Sequence, residues 1–571
     1  MILKLRLGVY QIKRGLSKLS YIHKLGAQPL LSTTGGQLVE QAAKKYPDRP
    51  AIISCHQSKQ LTFSELLLEV DKFGIGLKKL NVNQGDLLAI WAPNEIEWIV
   101  TSLACARLGV TLVQLNHSYK KNELIYSLNK AKAKALVCGR VSARQDYYDI
   151  IKSVDSKIFD NGTDIRCDSM PSLRSIIMMD DNRTGTHYFH ALTQGHSEDD
   201  FKWIRERQDE IQIDDPLNIQ FTSGSTGAAK AAILSHHNVI NNAFNFGNRL
   251  ELFKKHHRIC VQVPLFHTFG TTAGIFPSLH FGATLVLPTD FYNPRKALQA
   301  IHDHKCTVVY GTPTMHTDLV EQQKQHKLDV SSEVAATGGA PTSPQLIFDM
   351  YKYLGYHSVM NIYGLTETTA VCFQSYLHSD AEHVANSVGR VADHTEVKVI
   401  GENGKTVPFG QPGELCVRGY MGMLGYLDEP KKTAEMIGPD GWVKTGDKFI
   451  VTEDGTGKII GRIKDIINRG GENIHPKEIE DYLTSHPKLI DCQIVGLPHK
   501  RLGEEVCACV RPKPGEEITL QEVIDHCKEH MAHYKIPSRI HILDEYPKTT
   551  SGKIQKFKIV EMLVKHYNLQ I

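Results

Sequence analysis

Ten residues, Phe221–Lys230, carry a high density of hydrogen-bonding groups. Their sequence, FTSGSTGAAK, holds four hydroxyl side chains, two glycines and one lysine. Glycines let successive backbone N–H groups point at one anion, hydroxyls add donors, and a lysine supplies positive charge, so the composition indicates a polyphosphate site. It is not a Walker loop, because Ala229 precedes Lys230 and Ala231 follows it. Taken alone, the segment fits a Ser/Gly-rich surface loop equally well.

Five further stretches contain residue types suited to binding a nucleotide and its metal ion. Tyr363 offers a ring that could stack on a base, and Glu367 a carboxylate that could hold Mg²⁺ against phosphates. Asp447 could accept both hydroxyls of a ribose, and Lys553 lies on a glycine-containing turn. Taken singly, each also fits a structural role. Tyr363 could be a core residue and Glu367 a helix-cap partner, while Asp447 could be a turn residue and Lys553 a solvated charge. The five stretches are ATGGAP (336–341), NIYGLTE (361–367), WVKTGD (442–447), GRIKD (461–465) and PKTTSGK (547–553).

The elements that must position these residues alternate between helix-like and strand-like patterns from about residue 60. An amphipathic helix is predicted over 64–80. Strands separated by helices imply parallel βαβ units, an α/β fold in which ligands bind at the carboxyl ends of strands. The more polar stretch 155–200 is predicted to be an insertion or a long surface connection. The predicted strands are 87–92, 110–115, 258–263, 283–288 and 306–311.

After about residue 390 the pattern changes to short alternating strands with glycine-rich turns, which predicts a β-rich subdomain. From Lys464 it changes again to a compact α+β unit. The sequence therefore predicts a large N-terminal domain over 36–463, made of doubly wound α/β subdomains plus the β-rich subdomain. A small α+β domain over 464–571 completes the chain.

The N-terminal segment differs from the rest in charge. Residues 1–39 contain six of the 66 basic residues and none of the 63 acidic ones, and apolar residues recur there at steps of three and four. This predicts a mitochondrial transit segment over residues 1–35 and a location in the mitochondrion, in the matrix. An exposed helix or a membrane-surface anchor are the alternatives.

The remaining body is close to neutral, which gives no electrostatic case for nucleic-acid binding. The sequence contains no run of 18 apolar residues, so no transmembrane helix is predicted. The 12 cysteines lack a C-x-x-C pair and are interpreted as reduced thiols. His526, His530 and His533 have a spacing that permits a metal site on one helical face, but a solvated face is the favoured interpretation.

Taken in order, the motifs resemble those of the adenylate-forming superfamily, from about residue 36 to about residue 560. That superfamily includes acyl- and aryl-CoA ligases, luciferases and peptide-synthetase adenylation domains. PLFHTFG (264–270) and YGTPTM (310–315) are most similar to fatty acyl-CoA ligases, and GRIKDIINRGGENIHP to mitochondrial medium-chain ones. The motifs are FTSGSTGAAK, ATGGAP, NIYGLTE, GELCVRG, GWVKTGD, GRIKDIINRGGENIHPKEIE and TSGKIQK.

The resemblance implies a two-step reaction. ATP and a carboxylic acid give an acyl adenylate and pyrophosphate, and coenzyme A then displaces AMP to form a thioester. Lys553 would bridge the acyl carboxylate and the α-phosphate, Glu367 would hold Mg²⁺, and the small C-terminal domain would rotate between the steps. His267 would lie beside the acyl site, with a packed, satisfied histidine as the alternative. Phe269 and Gly338 are candidates for the acyl-pocket wall.

The same resemblance assigns the remaining site residues to ATP and coenzyme A. Residues 222–230 would contact the ATP phosphates, 339–341 and 361–366 the adenine, and Asp447 with Arg462 the ribose. Lys464 would be the hinge, and Gly471 would line the pantetheine tunnel. The full set is Thr222, Ser223, Gly224, Ser225, Thr226, Gly227, Ala228, Ala229, Lys230, Gly339, Ala340, Pro341, Asn361, Ile362, Tyr363, Gly364, Leu365, Thr366, Asp447, Arg462, Lys464 and Gly471.

Two residues depart from the family pattern. Ala229 stands where proline is usual, so the loop without ligand lacks the fixed φ that proline would give it. Ala231 stands where glycine is usual, so it would be strained if its φ were positive. These departures support a second hypothesis, that the protein is a non-catalytic relative that binds acyl chains or nucleotides. A third reading is an adenylation enzyme that loads a separate carrier protein.

Overall fold

Two large, mostly parallel sheets form the first two-thirds of the chain. The computed structural model describes residues 18–569, apart from 143, 181–182, 223–228, 331, 341, 470–471, 500–501, 529, 532 and 550–551. In the first sheet, six strands run parallel and two antiparallel strands close one edge. Its strands, in spatial order, are Gly425–Tyr426, Lys230–Ser235, Pro216–Thr222, Thr111–Gln114, Leu87–Trp91, Ala135–Cys138, Ser175–Met178 and His187–Tyr188.

The second sheet has the same doubly wound character. Six parallel strands occupy its centre, and antiparallel strands lie at both edges. Its strands are Arg390–Val391, Phe373–Gln374, Ser358–Tyr363, Val334–Thr337, Val308–Gly311, Arg258–Val261, Thr284–Leu287, Pro50–Ser54 and Lys59–Thr62.

Helices cover the faces of these sheets. The largest apolar core is formed by residues of both sheets and of the helices between them. Capping boxes at Thr34, Thr62 and Ser235 satisfy the first backbone N–H groups of three of these helices. None of the helices in the described part of the chain is long and apolar enough to cross a bilayer. The α-helices of this part are Gly35–Lys45, Phe63–Lys79, Ile96–Leu108, Lys121–Ala131, Tyr147–Lys152, Glu198–Glu206, His236–Arg249, Thr268–Gly270, Phe276–Phe281, Pro294–Asp303, Pro313–His326, Pro344–Leu354, Ala381–Asn386 and Pro430–Met436.

A wholly antiparallel sheet follows, as predicted for the region after residue 390. One of its edge strands comes from the other end of the chain: Tyr21–Lys24 pairs with Thr395–Ile400. The carbonyl of Val407 accepts hydrogen bonds from the Ser20 N–H and Oγ, at 2.8 and 2.7 Å. The latter part of the predicted transit segment is therefore built into the fold. The sheet's strands are Tyr21–Lys24, Thr395–Ile400, Gly413–Gly419, Val443–Val451 and Gly457–Arg462.

The C-terminal residues form a smaller α+β unit with its own apolar core. A single 3₁₀ turn, Ile463–Asp465, joins it to the antiparallel sheet. Its strands are Ile467–Arg469, Glu472–Ile474, Leu489–His499, Gly503–Pro512 and Arg539–Ile542, and its α-helices are Pro476–Leu483, Leu520–Cys527 and Lys556–His566. The mixed α/β architecture with a large N-terminal and a small C-terminal part confirms the predicted fold class.

Two local expectations were wrong. The stretch 155–200 is not merely a surface connection, because Ser175–Met178 and His187–Tyr188 extend the first sheet. The three histidines of the permissive metal spacing do not share a helix, since that helix ends at Cys527. His526 and His530 instead pack against the Tyr482 ring, with centroid distances of 4.8 and 5.0 Å.

Buried histidines give the fold an acid sensitivity. Burial lowers the pKa of His267 to about 3, and that of His117, His236, His280 and His316 to about 4. Between pH 6.5 and 4 the unfolded chain therefore takes up protons that the folded protein excludes, so stability falls as the pH falls. Each histidine contributes up to about 1.4 kcal/mol per pH unit.

Urea unfolding at pH 7.5 and pH 5.5 checks this expectation, and we expect the lower midpoint at pH 5.5. Glu95 and Asp71, whose pKa values burial raises to about 8 and 6, oppose the histidines but are outnumbered. Replacing His280 by glutamine should reduce the number of protons taken up on unfolding between these pH values by close to one, and so make the free energy of unfolding less dependent on pH. An equal or higher midpoint at pH 5.5 contradicts the prediction.

Candidate active site

Three of the motifs lie at the carboxyl ends of parallel strands, where α/β proteins bind ligands. FTSGSTGAAK begins on the first-sheet strand Pro216–Thr222. ATGGAP begins within Val334–Thr337 and NIYGLTE begins within Ser358–Tyr363, and both motifs continue past the carboxyl ends of these strands, which are neighbours in the second sheet. The two sheets meet at this edge, because Thr222 Oγ1 lies 3.5 Å from Glu367 Oε1. The motifs therefore line one cleft between the sheets.

Glu367 is almost fully buried on a 3₁₀ turn, Thr366–Thr368, at the floor of this cleft. Tyr426 donates a hydrogen bond of 2.6 Å from its hydroxyl to Glu367 Oε1. Lys230 Nζ lies 4.8 Å from the centre of the Tyr426 ring. The arrangement puts one carboxylate beside Thr222 and one ammonium at Lys230, at the two described ends of the FTSGSTGAAK motif, as a site for a polyphosphate and a divalent cation requires.

Asp447 is buried at the opposite wall of the cleft, on the strand Val443–Val451. Its Oδ2 accepts a 2.6 Å hydrogen bond from the Tyr363 hydroxyl. Its Oδ1 has no hydrogen-bond partner in the described part of the chain, although Arg462 Nε lies 3.5 Å away. Burial raises the pKa of Asp447, while Arg462, Tyr363 and Lys553 lower it. A buried carboxylate oxygen with unused acceptor capacity fits a ribose hydroxyl.

Tyr363 does not stand free to stack on a base. Its ring packs with Phe373 and Phe449, with centroid distances of 6.1 and 5.1 Å, and 8% of the residue is exposed. Tyr363 is therefore both a core residue and part of the site, because its ring is packed in the core while its hydroxyl fixes the orientation of Asp447.

Lys553 belongs to the C-terminal unit but faces the cleft of the N-terminal part. Burial and Arg462 lower the pKa of its ammonium, and Glu367 and Asp447 raise it. Lys553 also lowers the pKa of His267, although burial is the larger cause. One lysine thus interacts electrostatically with groups on four separate elements. The folded chain brings Lys553, Glu367, Asp447 and His267 around one space.

His267 caps a short helix, Thr268–Gly270, and its Nδ1 accepts from the Phe269 N–H at 3.3 Å. With its pKa lowered to about 3, the ring is neutral at physiological pH. This geometry agrees with the satisfied-histidine alternative. It also leaves the imidazole next to the ammonium of Lys553.

The predicted adenine loop is partly described. Gly339 has φ = +83°, which a glycine adopts without strain, so the backbone can turn sharply toward a ligand. Thr342 Oγ1 donates to Asn361 Oδ1 at 3.4 Å, and Asn361 Nδ2 donates to the Ser387 carbonyl at 3.0 Å. These contacts join the loop after Thr337 to the start of NIYGLTE.

The predicted site residues differ in how far they come together. Thr222, Lys230, Glu367, Asp447, Arg462, Lys553 and His267 surround the cleft. Asn361 and Ile362 are buried in the strand Ser358–Tyr363, and Gly364, Leu365 and Thr366 follow it toward Glu367. Lys464 lies on the exposed turn between the two parts. The predictions that fall outside the described residues are Ser223, Gly224, Ser225, Thr226, Gly227, Ala228, Pro341 and Gly471.

Three outcomes concern residues whose role the sequence left open or did not reveal. Ala231 lies in the strand Lys230–Ser235, where it is fully buried and paired with Phe221. Its φ is not positive, so the strain considered for this alanine does not occur. The carbonyl of Ala229 accepts a 2.9 Å hydrogen bond from the Tyr126 hydroxyl. Tyr426 was missed because its two-residue strand carries no pattern that points to Glu367.

Comparisons with known proteins agree with this geometry. A family profile described as AMP-binding enzyme matches residues 39–427, and one described as AMP-binding enzyme C-terminal domain matches residues 478–553. The chain is 39% identical over 559 residues to the mitochondrial medium-chain acyl-CoA ligase ACSF2 of Homo sapiens, covering 96% of this chain and 91% of that protein. The ACSF2 of Danio rerio is 39% identical over 554 residues, with the same coverage.

A solved structure, the anthranilate CoA ligase AuaEII in complex with anthranoyl-AMP, superposes with a TM-score of 0.83. The two chains are 24% identical, and the match covers 95% of this chain and 99% of that one, which establishes the fold. The profile matches span both the cleft-forming part and the C-terminal unit that supplies Lys553. This chain therefore belongs to the AMP-binding enzyme family.

Proposed function

We propose that the protein is an ATP-dependent fatty acid–CoA ligase that acts on medium-chain acids. It forms an acyl adenylate with release of pyrophosphate and then transfers the acyl group to coenzyme A. The observation that carries the proposal is the placement of the Lys553 ammonium opposite Glu367 and Asp447 in one cleft. The names of the ACSF2 relatives, medium-chain acyl-CoA ligases, support the acid–thiol chemistry and the substrate class.

Within this proposal each cleft residue has one electrostatic task. Lys230 and residues 222–228 bind the phosphates of ATP, and Asp447 accepts the ribose hydroxyls through its unpartnered Oδ1. Lys553 offsets the repulsion between the acyl carboxylate and the α-phosphate, where charge develops in the transition state. His267 stays neutral beside this lysine and shapes the acyl end of the site.

The residues present fit one Mg²⁺ ion. This ion is usually held by one or two carboxylates together with substrate phosphates, and Glu367 provides a buried carboxylate next to Thr222, at the start of the proposed phosphate-binding motif. When bound, the ion neutralises phosphate charge.

Coenzyme A would enter in a second arrangement of the two parts, in which Lys553 no longer faces Glu367 and Asp447 as it does here. We propose that residues 464–571 move as a domain against residues 36–463, with Lys464 as the hinge. The 3₁₀ turn Ile463–Asp465 is the only described link between the antiparallel sheet and the C-terminal unit. Gly471, beyond that turn, would then line the path of the pantetheine arm.

Replacing Lys464 by proline tests the hinge. Proline fixes φ near −65°, which suits the first turn of a 3₁₀ helix, so adenylation should persist in the present arrangement. The rotated arrangement needs different backbone angles at the hinge. Thioesterification of supplied acyl adenylate should therefore slow on the order of a hundredfold. Lys464→Ala is the matched control, since it removes the charge without fixing φ. Normal thioesterification by the proline variant removes the hinge assignment.

We further propose import into mitochondria, supported by the basic N-terminal segment and by the mitochondrial relatives. Any leader that is removed must end before Lys18, because the chain from Lys18 on is part of the antiparallel sheet. The Lys18 carbonyl accepts from the Phe409 N–H at 3.1 Å, and Tyr21 donates to Glu396 at 2.7 Å.

Truncation before and after this strand gives a stability prediction. A chain that starts at Lys18 should unfold at the same urea concentration as the full chain. A chain that starts at Gly26 loses the edge strand and the Tyr21–Glu396 contact, and its free energy of unfolding should fall by about 2 kcal/mol. Equal stability of both truncated chains contradicts the structural role of Tyr21–Lys24.

The activity itself is tested with purified protein, ATP, Mg²⁺ and octanoate. We expect acid-dependent pyrophosphate release, and AMP formation that rises when coenzyme A is added. A panel of straight-chain acids from C4 to C18 should give its highest rate among the medium chains. The absence of pyrophosphate release with every acid favours the non-catalytic relative. Adenylation without transfer to coenzyme A favours an enzyme that loads a carrier protein.

A further inference from the structure

The carbonyl group of Ala229 is held by a tyrosine from a different part of the chain. Ala229 directly precedes Lys230, the lysine of the FTSGSTGAAK motif. The Tyr126 hydroxyl donates a hydrogen bond of 2.9 Å to this carbonyl. Pairing of the strand that follows begins only at Lys230, opposite Thr222. Tyr126 therefore fixes the motif at the last residue before the strand begins.

A fixed carbonyl at Ala229 also fixes the backbone of Lys230. The carbonyl of Ala229 and the N–H of Lys230 belong to one planar peptide unit, so a single hydrogen bond orients both. The ammonium of Lys230 lies 4.8 Å from the centre of the Tyr426 ring, and the Tyr426 hydroxyl donates to Glu367. Tyr126 thus holds the peptide from which Lys230 extends toward the proposed phosphate and Mg²⁺ site.

The helix that carries Tyr126, Lys121–Ala131, is anchored in the core of the first sheet. Its Leu124 and Leu128 are buried in the same apolar cluster as Ala231. Tyr126 lies outside this buried face and is 40% exposed. The core therefore holds the helix in place, and the tyrosine hydroxyl is left to hold the motif.

The same helix also contacts the segment on the other side of the motif lysine. The strand Gly425–Tyr426 pairs with Lys230–Ser235 at the edge of the first sheet, and Glu429 follows it. Lys130 Nζ lies 3.1 Å from Glu429 Oε1, and only 18% and 12% of the two side chains are exposed. The helix is therefore joined to both chain segments that position the lysine.

The hydrogen bond from Tyr126 supplies a restraint that the side chain of Ala229 does not. A proline at this position would fix φ, whereas alanine leaves φ free. The bond to the carbonyl restrains the other backbone angle of Ala229, ψ. A segment that is restrained before its ligand arrives loses less conformational entropy on binding. The restraint should therefore be measurable as affinity for ATP.

We propose that Tyr126 is a positioning residue for the phosphates of ATP, which holds the Ala229 carbonyl and thereby places the Lys230 ammonium. The inference rests on the proposed function, because it concerns the same ATP site. Tyr126 need not touch the nucleotide, since it acts through the peptide between Ala229 and Lys230.

The first experiment measures acid-dependent pyrophosphate release. Tyr126→Phe removes the hydroxyl and keeps the ring. Its KM for ATP should rise about fivefold, as expected for the loss of one hydrogen bond, while kcat and the KM for the acid stay at the wild-type values. The matched control is Tyr148→Phe, which removes a hydroxyl bonded to the Thr184 carbonyl at 3.0 Å. It should leave the KM for ATP unchanged.

The second experiment measures binding of ATP with Mg²⁺ in the absence of the acid, and so does not depend on catalysis. Isothermal titration calorimetry should give a dissociation constant about fivefold higher for Tyr126→Phe than for the wild type. If Tyr126 acts through Lys230, the same substitution should have little further effect in a Lys230→Met background.

Three results overturn the proposal: a wild-type KM for ATP in Tyr126→Phe, an equal rise in the KM for ATP and for the acid, or full additivity with Lys230→Met. Failure of the proposed function looks different. In that case the wild-type protein itself releases no pyrophosphate with any acid, whereas the titration with ATP still reports whether Tyr126 supports the nucleotide site.

Discussion

Replacing Lys553 by alanine should lower the rate of acid-dependent pyrophosphate release by about a hundredfold or more. The ammonium of this side chain interacts electrostatically with Glu367 and Asp447, both of which raise its pKa. An acyl carboxylate and an α-phosphate repel each other, and a fixed positive charge is worth most at the point where they meet, away from water.

The same variant should keep its second half-reaction. Thioesterification of supplied acyl adenylate requires coenzyme A to enter, and we propose that Lys553 leaves the cleft for this step. Single-turnover measurements with ATP and acid, and separately with acyl adenylate and coenzyme A, distinguish the two rates. Lys556→Ala is a nearby control, because Lys556 pairs with Glu480 inside the C-terminal unit at 2.5 Å. Equal loss of both half-reactions contradicts the assignment.

Neutralising Glu367 should produce the second large loss. Glu367→Gln keeps the shape and an acceptor for the Tyr426 hydroxyl, now 2.6 Å from Oε1, but removes the negative charge. Since Mg²⁺ depends on carboxylate and phosphate oxygens, we expect adenylation to fall on the order of a hundredfold and to require more Mg²⁺ for half-maximal rate.

A Mg²⁺ titration at saturating ATP measures the effect. Tyr426→Phe is the matched control: it removes only the hydrogen bond to Glu367, so the Mg²⁺ requirement should change little. A Glu367→Gln variant whose Mg²⁺ dependence equals that of the wild type would mean that another group holds the ion. That outcome would leave the role of Lys553 intact.

Much of the fold could be predicted from periodicity alone. Strands such as Thr111–Gln114 and Thr284–Leu287 are continuous apolar runs bounded by turn residues, which is the pattern of a parallel sheet buried on both faces. The stretch 155–200 was misjudged for the opposite reason. His187–Tyr188 is a two-residue edge strand, which carries little pattern of its own. Ser175–Met178 lies inside the sheet but is a short apolar run set between polar residues.

The candidate site was predictable as a set of motifs, because each needs special residues at fixed spacing: glycines for the phosphate and adenine loops, a carboxylate for Mg²⁺, and a lysine near the C-terminus. Periodicity could not say whether Tyr363 belongs to the core or to the site. The fold answers this, since its ring packs with Phe449 while its hydroxyl orients Asp447.

The sequence by itself determined which residue types are available and in which element each one lies, since local spacing and propensity are properties of short segments. Only the tertiary structure decided which of them meet. Glu367, Asp447 and Lys553 lie 80 and 106 residues apart along the chain, so their meeting depends on the packing of sheets and on how the C-terminal unit docks.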